Sequence, residues 1–350
     1  MKYIPIKFPR DVKSHKSILE WWYFNGHLKD KNGNHYSFMN CLFQVDAKKI
    51  NLPVIRKIPA KNVYFAHSLL SEIEKKEFHS DITPIVFCSK NSFTKKRFNV
   101  SYTFPGVNYA DCKIQEIGKH KFRIKSGYFD LVLTSLKDPL LVGGKGFIDV
   151  KGEETYYYSL TNMKTKGEII LNGKRIKVNG KSWMDHQWAD TPYDNKADWT
   201  WFSLQLDNNV EVVCYEYINK NKTYRASLID KTGKQKHTSE ILIKPLGKKW
   251  KSDKTGAEYH TKWNIKIPDF NLDVNVNSFI KHQEMLYNSI NYWEGPLNVS
   301  GKYEGKPIKG KGFMELVGRP MTCSMLKRYK IELKDFIKQE KENFRGFLEK

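Results

Sequence analysis

The segment KSWMDHQWAD, residues 181–190, sets an aspartate and a histidine side by side between indole rings. A second segment, EWWYFNGHL at 20–28, joins a carboxylate, a run of aromatics and a histidine. These residue types suit chemistry that begins by delivering a proton to a weakly basic π bond. A carboxylic acid or an imidazolium supplies the proton, its pKa set by burial and neighbouring charge. Indole and phenol faces stabilise the resulting carbocation by about 0.5–2 kcal/mol each. An apolar enclosure keeps stray water out.

In extended chain the side chains alternate between faces. His186 and Trp188 then point the same way as Ser182 and Met184, while Asp185 points with Trp183 and Gln187. Asp185 either orders the surroundings of His186 or accepts the Trp183 indole N–H. In the earlier segment Trp21, Tyr23, Asn25 and His27 share one face, and Glu20, Trp22 and Phe24 the other. Tyr292, Trp293 and Glu294 repeat the aromatic–acid pairing, with Gly295–Pro296 suggesting a strand end at which Glu294 serves backbone donors. The catalytic candidates are therefore His186 and Asp185. The substrate-binding candidates are Trp188, Trp21, Tyr23, Asn25, Trp201, Trp293 and Glu294. His67, on the apolar YFAHSLL run, reads as a core histidine, and His27 and His35 as a solvent-facing pair beside a hairpin. Asp185, His186 and Asp190 have no second histidine at a ligand spacing, so a metal is not expected there.

The elements that must carry these residues are strands. Period-two alternation recurs in HYSFMNCLFQV, FRIKSGYFDLVLTS and WNIKIPDFNLDVNVNS, with turn signals such as KDKNGN and DKTGK between them. GGKGFIDV at 143–150 resembles KGKGFMEL at 309–316, and WWYFNGHL at 21–28 resembles WTWFSLQL at 199–206, at offsets of 166 and 178. The reading is a tandem of two all-β domains, 1–178 and 179–325. A tail at 326–350 follows, in which Leu326, Tyr329, Leu333, Phe336, Ile337, Phe344, Phe347 and Leu348 recur at helical spacing. That amphipathic helix would pack against the body or make a peripheral membrane contact.

Bulk composition limits the function classes. The 350 residues carry a formal charge of +22, but the excess is lysine at turns, with only nine arginines, so a nucleic-acid partner is not expected. Five scattered cysteines without a Cys-x-x-Cys pair read as reduced, buried side chains. Neither a signal peptide nor a membrane-length apolar run is seen, which suggests a cytoplasmic protein.

The motifs EWWYFNGHL, AHSLL (66–70), YYYSLTNM (156–163), GKSWMDHQWAD (180–190), DWTWFSLQLDN (198–208) and YWEGPLNVSGKYEGKPIKGKGFMELVGRP (292–320) together resemble the carotenoid 1,2-hydratase/AttH-like family. The resemblance runs over about residues 15–320 in the family's order. It implies two lipocalin-like antiparallel β-barrel domains with a pocket in or between them, and no obligatory cofactor. Relatives hydrate isoprenoid double bonds or fold and isomerise polyenes. Hydratase members carry a Tyr-x-Asp after the Trp-Met-Asp-His motif; here the strand reads EVVCYEYIN, with Tyr217 where that Asp would stand after Tyr215. Tyr215 joins the catalytic candidates only through what this resemblance implies. The functional expectation is cofactor-independent hydration, isomerisation or cyclisation of a lipophilic small molecule. The alternatives are a non-catalytic carrier of such a molecule or a basic surface binder.

Overall fold

A computed structural model describes residues 3–49, 61–88, 97–103, 112–150, 153–191, 197–219, 222–287 and 290–319. The architecture is all-β and antiparallel, with helical structure among the described residues confined to three-residue turns at Arg10–Val12 and Pro268–Phe270. The expected tail helix at 326–350 lies outside the described residues. None of the described helices is long and apolar enough to cross a membrane.

The first sheet has 12 strands. From Glu153–Leu171 it runs through Lys174–Ala189, Leu19–Asp30, His35–Asp46, Asn62–Glu72, Glu77–Cys88, Asn99–Thr103, Cys112–Gly118 and Lys121–Lys125 to Phe129–Ser135. This last strand pairs back onto the first, from Met163↔Ser135 to Ile169↔Phe129, and closes the barrel. Closure leaves no open edge in the ring. Trp22, Phe24, Phe38, Phe122, Phe129, Leu131 and Leu133 fill its interior with no exposed surface.

The second sheet has 10 strands and coils round its own core of Phe202, Leu204, Ile265, Val274, Trp293 and Leu297. Its centre is Asp198–Leu206 between Glu211–Ile218 and Lys306–Val317, with Ile290–Tyr303 beyond. The chain changes sheet between Ala189 and Asp198, so the boundary expected at 178/179 falls inside a strand of the first barrel. The cause is the hairpin Glu153–Leu171/Lys174–Ala189, which carries the Trp-Met-Asp-His segment back beside Leu19–Asp30.

The two sheets pack face to face, and the burial patterns record it. Leu272–Ser278, which buries one face only, alternates strictly between buried and exposed residues. Leu19–Asp30 and His35–Asp46 are buried almost throughout, because their inner face meets the barrel core and their outer face the second sheet. One inter-sheet layer joins Tyr23, Met39, Cys41 and Leu69 to Met285, Tyr292 and Phe313. Another joins Leu140, Val142, Tyr157 and Trp183 to Val213 and Ile229. Cys41, Cys88, Cys112 and Cys214 are thiols.

A buried ion pair pins the sheets together at one side. Lys137 Nζ, on the loop after Phe129–Ser135, lies 2.6 Å from Glu211 Oε2 of the second sheet and also donates to the Asn209 and Asp230 carbonyls. Asn162 Nδ2 donates to Glu211 Oε1 at 2.8 Å. Truncation as Lys137→Ala strands a carboxylate in the interface and is expected to cost about 3–5 kcal/mol in urea unfolding. Gly180 is a second constraint, since a Cβ there would strike the His27 carbonyl across the ladder. Gly180→Val should lower stability by about 2–3 kcal/mol. Gly33→Ala, at a hairpin tip with positive φ and open space, should lower it by about 1–2 kcal/mol.

Candidate functional site

Ladder register assembles the site. In the first sheet Asp185 stands opposite Tyr23 on one side and Ser159 on the other, and Tyr23 stands opposite Cys41. In the second, Trp201 stands between Tyr215 and Glu315, and Glu315 opposite Glu294. Residues directly opposite in antiparallel strands share a face, with Cβ atoms about 4.5–5.5 Å apart. Each set is thus one rung across its sheet, and the rungs face one another. Tyr23 Oη donates to Glu294 Oε1 at 2.8 Å, and Asn25 Nδ2 donates to Tyr23 Oη at 3.1 Å. Trp201 Nε1 donates to Tyr157 Oη at 3.0 Å, and Tyr23 meets the Trp201 ring edge-on with centroids 5.6 Å apart.

Burial governs the electrostatics. Asp185 Oδ1 accepts Ser159 Oγ and the Trp183 indole N–H, each at 2.6 Å, and Oδ2 accepts Tyr157 Oη at 2.7 Å. Desolvation still pushes its pKa up to about 7 against those three donors. Glu294 is pushed well above the ordinary carboxyl range, first by burial and then by the charge of Glu315. Glu315 is raised by burial too, offset by hydrogen bonds from Trp199 and Glu294. Glu294 and Glu315 stand opposite one another on adjacent strands, and the raised pKa of Glu294 keeps its carboxyl protonated beside Glu315. Glu294 Oε2 is buried without a hydrogen-bond partner among the described residues. Two adjacent carboxyls removed from water share a proton because ionising both is too costly. Glu315, Trp21, Trp199, Trp201 and Tyr215 retain partial exposure.

The sequence candidates divide between two faces of the same strands. Asp185, Trp21, Tyr23, Asn25, Trp201, Glu294 and Tyr215 belong to the inter-sheet layer. His186 and Trp188 project into the first barrel instead, where Trp22 stacks on His186 at 4.8 Å and Trp188 lies between His15 and Tyr156. His186 and Glu20 have no exposed surface, so no water-sized void adjoins them. The indole-lined barrel cavity expected there is filled by side chains. Trp293 also departs from expectation: it sits in the second core, its Nε1 donating to the Lys281 carbonyl. The strand end expected at Gly295–Pro296 is mid-strand in Ile290–Tyr303, which is how Glu294 keeps its place on the rung. His67 is buried, held neutral by a pKa lowered to about 3 through desolvation, and hydrogen-bonded to Tyr292. His27 and His35 are buried with ring nitrogens 3.0 Å apart, not solvent-facing, because Phe279 and Phe313 of the second sheet cover them. Two surface grooves, about 530 Å³ along 164–168 and 177–180 and about 320 Å³ beside Tyr36 and Glu72, are not lined by Asp185, Glu294, Glu315 or His186.

Glu315 escaped the sequence reading, as did its donor Trp199 and the Tyr157–Ser159 support of Asp185. The missed signal was a different internal alignment. Trp21, Tyr23 and Phe24 do match Trp199, Trp201 and Phe202 in place, since Phe24 pairs with Met184 and Phe202 with Met314. The counterpart of GKGFMEL at 310–316 is then GKSWMDH at 180–186, which equates Asp185 with Glu315. GGKGFIDV, chosen from sequence, contributes only the peripheral strand Phe147–Val150.

The raised Asp185 pKa has a stability consequence. The folded chain holds this proton up to about pH 7, whereas an unfolded aspartate releases it near 4. The group's contribution to stability therefore declines as pH rises across that window and is flat above it. In urea unfolding at pH 5 and pH 8, the stability of Asp185→Asn relative to wild type should improve from the lower to the higher pH. An unchanged difference contradicts the assignment.

Comparison with known proteins gives the architecture its relatives. A family model described as AttH-like matches residues 2–319. The dehydratase AsqC of Emericella nidulans is 25% identical over 207 residues, covering 54% of this chain and 58% of the relative, so the match spans little more than half of that protein. An AttH protein from Nitrosomonas europaea superposes with a TM-score of 0.74 at 23% identity, covering 91% of this chain and 98% of the other. Kievitone hydratase from Nectria haematococca superposes at 0.70 with 18% identity, covering 90% and 93%. CghA in complex with Sch210972 follows at 0.58 with 10% identity, covering 86% and 88%. The solved structures share the fold, and the family match spans both sheets: this chain belongs to the AttH-like family.

Proposed function

We propose that this protein is a hydratase- or dehydratase-type enzyme that adds water to, or removes it from, a lipophilic, isoprenoid-like substrate at the cleft between the two sheets. The observation that carries the reading is the Glu294–Glu315 pair, opposite one another on adjacent strands, whose burial and mutual charge keep a proton beside partly exposed indole rings. The names of the dehydratase relative and the hydratase of like fold support it.

In the hydration direction Glu315, the more exposed partner, takes the proton from Glu294 and transfers it to one carbon of a double bond. The π electrons form the C–H bond, and the adjacent carbon becomes cationic. The faces of Trp21 and Trp201 stabilise that cation. Water adds to it, and the proton that the water loses returns to the pair, which ends as it began. Dehydration is the same sequence reversed, with the pair protonating the departing hydroxyl. Tyr23 fixes Glu294, and the chain Asp185–Tyr157–Trp201 fixes the Trp201 ring, so Asp185 acts as a positioning residue. The carrier alternative is less well supported. A passive hydrophobic site gains nothing from three enclosed carboxyl groups, whose desolvation is costly.

A panel of lipophilic alkenes and allylic or tertiary alcohols, incubated in water labelled with heavy oxygen, tests the proposal by mass spectrometry. At least one compound should gain or lose one water. Glu315→Gln should lower turnover about 10²–10⁴-fold without changing the fold, and Glu294→Gln should act in the same direction. Trp201→Leu should lower kcat more than it raises KM, since cation stabilisation exists only in the transition state. Turnover unaffected by both glutamine variants would refute the assignment.

A further inference from the structure

A second constellation lies in the mouth of the first barrel, on the face of the strands turned away from the cleft. Glu20 Oε1 stands 2.8 Å from His15 Nδ1 and 2.8 Å from His186 Nε2. One donor atom from each of the three residues falls within 4.8 Å of the other two. His15 belongs to the segment that crosses the barrel mouth before Leu19–Asp30, which is why no sequence spacing announced a second histidine near His186.

Hydrogen-bond bookkeeping sets this cluster apart. The outer nitrogen of each ring faces an acceptor supplied by one residue, Asp11: His15 Nε2 faces Asp11 Oδ1 at 3.3 Å, and His186 Nδ1 faces the Asp11 carbonyl at 3.1 Å, with the Tyr158 hydroxyl also at 3.3 Å from His186 Nδ1. When both outer nitrogens donate to Asp11, both inner nitrogens of neutral rings turn lone pairs toward Glu20 Oε1, itself an acceptor. That arrangement calls for a positive centre between them, which one divalent cation supplies; without it the rings donate N–H to Glu20 Oε1 themselves, and His186 Nδ1 takes the Tyr158 hydroxyl hydrogen. Glu20 Oε2 is meanwhile occupied by the His15 N–H at 2.8 Å, Gln44 Nε2 at 3.2 Å and Ser17 Oγ at 3.3 Å, which leaves Oε1 as the free ligand atom.

We propose that His15 Nδ1, His186 Nε2 and Glu20 Oε1 bind a divalent transition-metal ion of the zinc class, which clasps the N-terminal segment to the barrel. Two imidazoles and a carboxylate form a recognised donor set for such ions. The Asp11 contacts are the outer hydrogen bonds that orient ligating histidines and select the inward lone pair. Trp188 stacks on His15 with centroids 3.9 Å apart and planes 6° apart, holding that ring in its ligating orientation. The His15 side chain is 21% exposed while Glu20 and His186 are enclosed, so the ion reaches the site from the His15 side. The site is separate from the Glu294–Glu315 pair and does not depend on the reaction proposed for it.

The test uses untagged full-length protein, stripped with chelator and titrated with Co²⁺. Visible d–d absorption should saturate at one ion per chain, and Zn²⁺ should displace it. His15→Ala, the change least demanding of the fold, should weaken Co²⁺ binding by at least about 10–100-fold, and Asp11→Asn by about 10-fold. His237→Ala, at a half-buried histidine of the second sheet, should leave binding unchanged. A titration without a saturating band, or a band undiminished in both His15→Ala and Asp11→Asn, would overturn the proposal and assign the cluster to protonated histidines paired with carboxylates.

Discussion

The structure depends on two sheets that press ionisable side chains against each other without water between them. A carboxyl in such a layer must collect hydrogen bonds or keep its proton. Asp185 does the first, with Ser159, Tyr157 and Trp183 all donating to it. Glu294 does the second, beside Glu315. The aromatic residues around them, from Tyr23 to Trp201, make this arrangement persist by excluding solvent and by fixing one another's orientation. Functional chemistry on this fold thus requires neither barrel to be hollow. Both cores are packed, and the ionisable groups are gathered in the layer between them.

The internal duplication explains the division of labour. Asp185 and Glu315 occupy equivalent rungs, each opposite an aromatic residue of the strand that opens its sheet, Tyr23 or Trp201. Their neighbours across the next ladder differ. Ser159 beside Asp185 hydrogen-bonds it but does not itself exchange a proton near neutral pH, and so holds Asp185 in a structural network. Glu294 beside Glu315 can hold or surrender a proton, and so makes a reactive pair. Gly180 and Gly310 recur at the same place in both halves, where the neighbouring strand comes too close for a side chain.

Much of this was legible in the sequence, and the remainder was hidden for identifiable reasons. Period-two alternation identified the strands and placed Trp21, Tyr23 and Asn25 on one face and Glu20 and Trp22 on the other, as the structure has them. Alternation says which residues share a face, but not which face meets a second sheet. His186 and Asp185 were therefore grouped into one site although adjacent strand residues point in opposite directions. Glu294 was suspected through its aromatic neighbours, while Glu315, in the plain context GFMEL, is signalled only by the match of GKGFMEL to GKSWMDH and by its pairing with Glu294. His15 joins His186 through the crossing of the barrel mouth, a tertiary event that no local pattern encodes.

The central claim is that a carboxylic acid stays protonated between the sheets at neutral pH. Infrared difference spectroscopy of wild type against Glu294→Gln in neutral buffer tests it most directly. The account predicts a protonated carboxyl C=O band that is present in the wild type, shifts in deuterium oxide and vanishes in the variant. A spectrum in which only ionised carboxylate bands change between the two proteins would contradict it.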